Sequence, residues 1–168
     1  MRLIREWELK DSKNLAKVLN NKRILDNLRD GIPYPYTEND AEEFIYSVLD
    51  SPKDSQYAWA ITDIDGALIG SVGVMRQNNI HQYTAELGYY LDEMFWGKGI
   101  MTEVVKQVCQ YIFSETDIIR IFAEPFSYNT ASCRVLEKAG FSFEGTLKCN
   151  AVKNGVVLDM NLYAMIRS

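Results

Sequence analysis

Two glycines flank a single lysine in "FWGKGIMTEV", residues 95–104, between a strand-like stretch and the strongest helical pattern in the chain. "TAELGYYL" precedes them as a strand. Ile100, Met101, Val104, Val105, Val108 and Ile112 follow at helical spacing, with Glu103, Lys106, Gln107 and Gln110 on the other face. A strand that turns through glycines into a helix points to an α/β arrangement. It also leaves backbone N–H groups unpaired at the helix N-terminus. Those groups, the helix dipole and Lys98 favour an anion, and the missing Cβ atoms at Gly97 and Gly99 let it approach the main chain. An ordinary glycine turn accounts for the pattern equally well. Neither common phosphate loop fits: the Walker pattern is missing, and a dinucleotide fingerprint needs a third glycine where Thr102 stands.

The rest of the chain supplies the partners of this unit. "RLIREWE" reads as an opening strand, followed by a helix capped by Asp11 or Ser12 with Leu15, Val18 and Leu19 on one face. "NKRILDNLRD" reads as a second helix ending at Gly31, and "IPYPYT" as a loop, because its two prolines remove donors and bias their predecessors away from helix. Thr37 and Asp40 form a capping pair for a helix with Phe44, Ile45, Val48 and Leu49 as its apolar stripe. "YAWAIT" and "ALIGSVGV" make a hairpin around "DIDG". "RIFAEP" is a short strand, "NTASCRVLEKAG" a helix closed by Gly140, and "FSFEGTLKC" pairs with "VVLDMNLYAMI" across "KNG".

Composition excludes several classes. The 168 residues suit one domain, residues 1–168, and 47% hydrophobic with 24% charged residues is a globular mixture. A formal charge of −5, from 23 acidic and 18 basic residues, argues against a nucleic-acid partner. No apolar run reaches the roughly 18 residues of a membrane helix, and the N-terminus lacks a cleavable signal pattern. Cys109, Cys133 and Cys149 are odd in number and widely spaced, so reduced thiols in the cytoplasm are expected, without a zinc site. His81 is the only histidine and sits in a turn, which leaves a Ser-His-Asp triad or a histidine-rich metal site unsupported.

Two stretches, "AELGYYLDEMFWGKGIMTEVV" and "NTASCRVLEKAGFSFEG", resemble the GNAT superfamily of acetyl-CoA-dependent N-acetyltransferases, and most closely its Rim-type branch of ribosomal-protein N-terminal acetyltransferases. The resemblance implies a central mixed, mostly antiparallel twisted sheet of about seven strands, splayed between the fourth and fifth, with helices on both faces. Acetyl-CoA is the implied co-substrate, with no metal. The family pattern is Gln or Arg, two residues of any kind, Gly, one of any kind, then Gly or Ala. The aligned residues here are Trp96, Gly97, Lys98, Gly99, Ile100 and Met101, of which only Gly99 matches. The resemblance therefore assigns the CoA pyrophosphate to backbone N–H groups of about residues 97 to 102, ending at Thr102. It gives Tyr89, Tyr90 and Leu91 the splayed edge with an N–H for the thioester carbonyl, and Asn129 a contact with the CoA arm.

Strand alternation puts Thr84, Glu86, Gly88 and Tyr90 on one face, which makes Glu86 the candidate base; a salt bridge with Arg76 is its structural alternative. Asn129 has an N-cap role open to it. Ser132, on the first turn of the same helix, is the candidate acid for the leaving thiolate, since the position where family members often carry a tyrosine is Leu136. Tyr163 is a further candidate acid. The expected acceptor is a primary amine, an N-terminal α-amino group of a protein or peptide: at a pKa of about 7.7–8.0 it needs only a modest base, unlike lysine near 10.4. A small amine (an amino acid, polyamine or aminoglycoside) and a CoA-binding module without turnover are the alternatives. Trp7, Tyr34 and Tyr36 are candidate walls of the acceptor site, and a monomer or homodimer is expected.

Overall fold

The computed structural model describes residues 3–168. Its strands are β1 (Ile4–Arg5), β2 (Gln56–Thr62), β3 (Leu68–Arg76), β4 (Thr84–Leu91), β5 (Arg120–Ala123), β6 (Ser142–Lys153) and β7 (Val156–Ile166). Its helices are α1 (Ser12–Leu19), α2 (Lys22–Leu25), α3 (Glu38–Leu49), α4 (Ile100–Glu115) and α5 (Thr130–Ala139). The seven strands follow the order β1-β2-β3-β4-β5-β7-β6. β4 and β5 run parallel, as the helical crossover α4 between them requires, whereas β1–β2, β5–β7 and β6–β7 are antiparallel. The mixed, mostly antiparallel seven-stranded sheet is the one expected from the resemblance.

By contacts the chain divides into two units, Met1–Gly73 with Gly88–Ile100, and Val74–Leu87 with Met101–Ser168. In the first, Leu15, Val18 and Leu19 of α1 are buried as their spacing predicts, with Trp7, Ile45, Ala60 and Leu68 in the same apolar cluster. α3 opens with the expected capping box: Thr37 Oγ1 accepts from Asp40 N at 3.1 Å, and Asp40 Oδ2 accepts from Thr37 N at 2.8 Å. Leu49 departs from expectation. It is exposed, and Ala41 with Ile45 forms the buried stripe.

The opening strand is shorter than "RLIREWE" suggests, and Arg2 lies outside the described residues. The reason is Asp11. Its carboxylate accepts from Glu8 N at 3.0 Å and from both terminal nitrogens of Arg5 at 2.8 Å, drawing residues 9–11 into a 3-10 turn. Asp11 occupies the N-cap position of α1, but its side chain makes no bond to that helix. α2 is likewise shorter than the ten-residue pattern: Asn21 Oδ1 caps its start through Arg23 N at 2.9 Å, and Asn27 Nδ2 takes the Arg23 carbonyl at 3.0 Å, ending it.

In the second unit Val104, Val105, Val108 and Ile112 of α4 are fully buried, and Glu103, Lys106 and Gln110 are exposed. α5 packs on β6. β6 runs further than "FSFEGTLKC", through an irregularity between Leu147 and Ala151, where the Asp159 carboxylate accepts from Cys149 N at 2.8 Å and Lys148 Nζ at 2.9 Å. That carboxylate lets the hairpin continue past the bulge.

Candidate functional site

Trp7, Tyr34, Tyr36, Tyr89, Tyr90, Leu91 and Trp96–Ile100 belong to the first unit; Glu86, Met101, Thr102, Asn129, Ser132 and Tyr163 belong to the second.

The glycine turn is built in the first unit from the end of β4. Asp92 N donates to Ile69 O at 2.7 Å, and Asp92 Oδ1 caps a 3-10 turn (Glu93–Phe95) through Met94 N at 3.0 Å. The Trp96 indole N–H returns to the Leu91 carbonyl at 2.8 Å, and Lys98 lies over the Phe95 ring at 5.0 Å. Gly97 and Gly99 have φ of +73° and +77°, a left-handed backbone that disfavours any residue with a Cβ. The conformation alone therefore accounts for both glycines. Among the described residues, chain neighbours aside, nothing lies within 4 Å of where a Cβ would sit on either, and residues 96–99 are exposed. Ile100 then opens a helix of 16 residues, whose first N–H groups have no partner within it.

Tyr90 and Leu91 owe their position to a glycine that sequence reasoning passed over. A Cβ on Gly70 of β3 would lie 2.4 Å from Tyr90 O and 3.1 Å from Leu91 Cα. Only glycine admits β4 at that distance. The Tyr90 phenol, whose proton affinity is raised by burial, bonds the Ser71 hydroxyl.

Of the three aromatic residues proposed as acceptor walls, Trp7 and Tyr36 lie together in the buried cluster and Tyr34 lies outside it, 55% exposed. Trp7 meets Phe44 edge-on at 5.3 Å, and its Nε1 has no hydrogen-bond partner among the described residues. Burial, with Asp40 and Glu43 near, pushes the Tyr36 hydroxyl up to about 12. Tyr36 is held by Asn20, whose side-chain amide accepts from Tyr36 N at 2.8 Å and donates to Tyr36 O. Neither Asn20 nor Asn21 was singled out by the sequence reading. The signal available was the Asn-Asn pair between two helical patterns, a composition suited to caps.

In the second unit Glu86 is half-buried on β4, opposite Phe122 of β5, at the end of the ladder that begins with Thr84 and Arg120. The alternation holds: Ala85 and Leu87 are buried, Thr84 and Glu86 half-buried. Arg76, proposed as a partner for Glu86, pairs with Asp117 at 2.6 Å and donates to Gln82 O at 2.8 Å. Asn129 caps α5, its Oδ1 accepting from Ser132 N at 3.3 Å. Ser132 is half-buried on the first turn. Leu136 is fully buried. Tyr163 is 3% exposed and donates to Glu137 Oε1 at 3.0 Å; burial, Glu137 and Cys133 raise its pKa well above the ordinary phenol range. Among the described residues no cluster of three or more His, Cys, Asp or Glu is placed to hold a metal ion.

The family pattern described as "Acetyltransferase (GNAT) domain" matches residues 2–142. The chain belongs to the GNAT acetyltransferase family. It is 43% identical over 115 residues to the probable N-acetyltransferase YjcK of Bacillus subtilis, which covers 68% of this chain and 64% of that protein. The match thus spans less than two thirds of that relative's length. Among solved structures, RimL, a ribosomal L7/L12 α-N-protein acetyltransferase in complex with coenzyme A, superposes with a TM-score of 0.86 at 25% identity, covering 97% of this chain and 92% of its own. Spermidine N-acetyltransferase of Vibrio cholerae, in complex with CoA and spermine, superposes with a TM-score of 0.81 at 22% identity, covering 98% and 94%.

Proposed function

We propose that residues 1–168 act as one acetyl-CoA-dependent N-acetyltransferase domain whose acceptor is the N-terminal α-amino group of a protein or peptide. The observation that carries this reading is the exposed glycine turn, left-handed at Gly97 and Gly99 with open space above both, leading directly into α4. It fits a diphosphate bound through main-chain N–H groups of residues 97–102. Family membership and the fold shared with the CoA complex of RimL support the same carrier.

In this reading each residue has a defined task. The N–H groups at Tyr89–Leu91 supply a donor for the oxyanion, a contribution of typically about 3 kcal/mol. Glu86, directly or through a water, accepts the proton lost when the amine nitrogen attacks the thioester carbonyl carbon. As the C–N bond forms and the C–S bond breaks, Ser132, Tyr163 or water returns a proton to the thiolate. The Asn129 side chain, besides capping α5, contacts the CoA arm. A cytoplasmic setting is consistent with the three free cysteines.

A small cationic amine is the second reading, favoured by the net charge of −5 and by the spermidine enzyme with the same fold. Thiol release from acetyl-CoA, measured with N-terminal peptides, polyamines and aminoglycosides in parallel, separates the two. The expected result is turnover with peptides. Turnover confined to polyamines or aminoglycosides replaces the acceptor, and saturable CoA binding with no thiol released for any amine replaces the enzyme with a binding module.

A further inference from the structure

Two consecutive cations on the shortest helix each cover a different aromatic ring. Lys22 Nζ lies 5.0 Å from the centroid of Tyr34, in the loop between α2 and α3, and the Arg23 guanidinium lies 5.6 Å from that of Trp96, beside the glycine turn. Neighbouring helical residues point about 100° apart, so one turn of helix can reach in both directions. Arg23 is further tied to the 3-10 turn that precedes Trp96. The Glu93 carboxylate accepts from Arg23 Nη1 and from Asn21 Nδ2, the latter at 2.8 Å. Asn21 is also the residue that caps α2. On the other side Asn20 clamps both the N–H and the carbonyl of Tyr36.

We propose that Arg23, Glu93 and Lys22 are positioning residues that couple the glycine turn to the aromatic loop, so that binding of CoA at Gly97–Gly99 also orders Gly31–Tyr36 on the acceptor side. The proposal rests on the functional reading above. Its physical basis is that the turn and the loop share one support. The Trp96 indole N–H donates to the Leu91 carbonyl, and the Arg23 guanidinium covers its ring. Residues 97–99 join Trp96 directly to α4, and Glu93 lies three residues before Trp96 in the preceding 3-10 turn, so both are chain neighbours of the glycine turn. The Arg23 side chain is 71% exposed. A pair so solvated contributes little to stability by itself, which leaves the contact soft enough to respond to ligand.

Amide hydrogen exchange on the full chain, with and without saturating CoA, tests the coupling. In the wild type CoA is expected to slow exchange at residues 97–102 and, by roughly fivefold, at Gly31, Ile32, Tyr34 and Tyr36; Pro33 and Pro35 have no amide proton. In Glu93→Gln the slowing is expected to persist at 97–102 and disappear from the loop. Arg23→Met, which changes a largely exposed side chain, repeats the measurement if Glu93→Gln does not fold. Slowing at 97–102 without any in the wild-type loop overturns the coupling and leaves the carrier site intact. Loop slowing that survives both substitutions overturns the role of α2. No slowing anywhere at saturating CoA overturns the carrier site itself.

Discussion

Glu86 stands opposite Phe122 on the last rung of the parallel ladder between β4 and β5, with five further residues of β4 continuing to Leu91. The ladder pairs Thr84 to Glu86 of β4 with Arg120 to Phe122 of β5, and Glu86 at its end is the residue proposed as base. Glu86→Gln is therefore expected to lower kcat by roughly 100-fold or more, within the usual range for a positioned base. The dissociation constant of CoA should be unchanged. Thiol release together with equilibrium CoA binding checks both, and normal turnover would remove Glu86 from the role.

At Gly97 the cost of a side chain is conformational, because φ is +73° and no atom is near. Gly97→Ala should lose about 1–2 kcal/mol in urea unfolding. It should also weaken CoA binding, since relief of the strain moves the N–H groups proposed to face the diphosphate. Unaltered CoA affinity in a folded variant would separate the turn from the carrier.

Gly70 presents the opposite case: its backbone conformation is ordinary, and the obstacle is Tyr90 O at 2.4 Å from the added Cβ. Gly70→Ala must displace backbone of β4. A loss near the upper end of about 1–3 kcal/mol is expected, with turnover reduced because Tyr90 and Leu91 shift together. Thermal unfolding and thiol release on the same preparation measure the two effects.

Asn129 carries two proposed tasks that substitution can separate. Asn129→Ala removes the cap and should cost about 1 kcal/mol, whereas Asn129→Ser keeps a capping oxygen and most of that stability. If the carboxamide also touches the CoA arm, both variants weaken CoA binding alike. Binding that follows stability instead would reduce Asn129 to a cap.

Acid should expose the Arg5–Asp11 pair. Burial raises the Asp11 carboxyl, but the Arg5 hydrogen bonds, the Glu8 N–H and the charges of Arg5 and Lys10 outweigh it and hold the group below its ordinary value. A folded-state pKa below the unfolded one stabilises the protein at higher pH, and the contribution is lost as pH falls through the folded value. Asp11→Asn should cost about 2–3 kcal/mol at pH 7, as for a hydrogen bond between charged groups. The gap to wild type should close as pH drops below about 4. A gap independent of pH would contradict the ionic origin.

The elements legible from sequence were those whose signal is local. β4 begins and ends where "TAELGYYL" does, α4 buries Met101, Val104, Val105, Val108 and Ile112 of the apolar set its period marks, with Ile100 half-buried, and the capping box of α3 forms from Thr37 and Asp40. The short first strand and short α2 were not legible, because each is stopped by a side chain acting out of register: Asp11 held by Arg5, and Asn27 turned back on Arg23. The exposure of Leu49 escaped notice for a related reason, since period alone does not say how far along α3 its neighbours extend.

By itself the sequence determined that a strand would hand over to a helix through Gly97 and Gly99, and that Glu86 would share a strand face with Tyr90. Periodicity and the steric freedom of glycine act within a few residues, so no distant contact is needed to read them. Only the tertiary structure decided that Gly70 must be bare for Tyr90 to pass, that Tyr36 is held by Asn20, and that Lys22 and Arg23 reach two different rings. Those relations join residues far apart in the chain, and their energies exist only once the backbone has brought the groups within bonding distance.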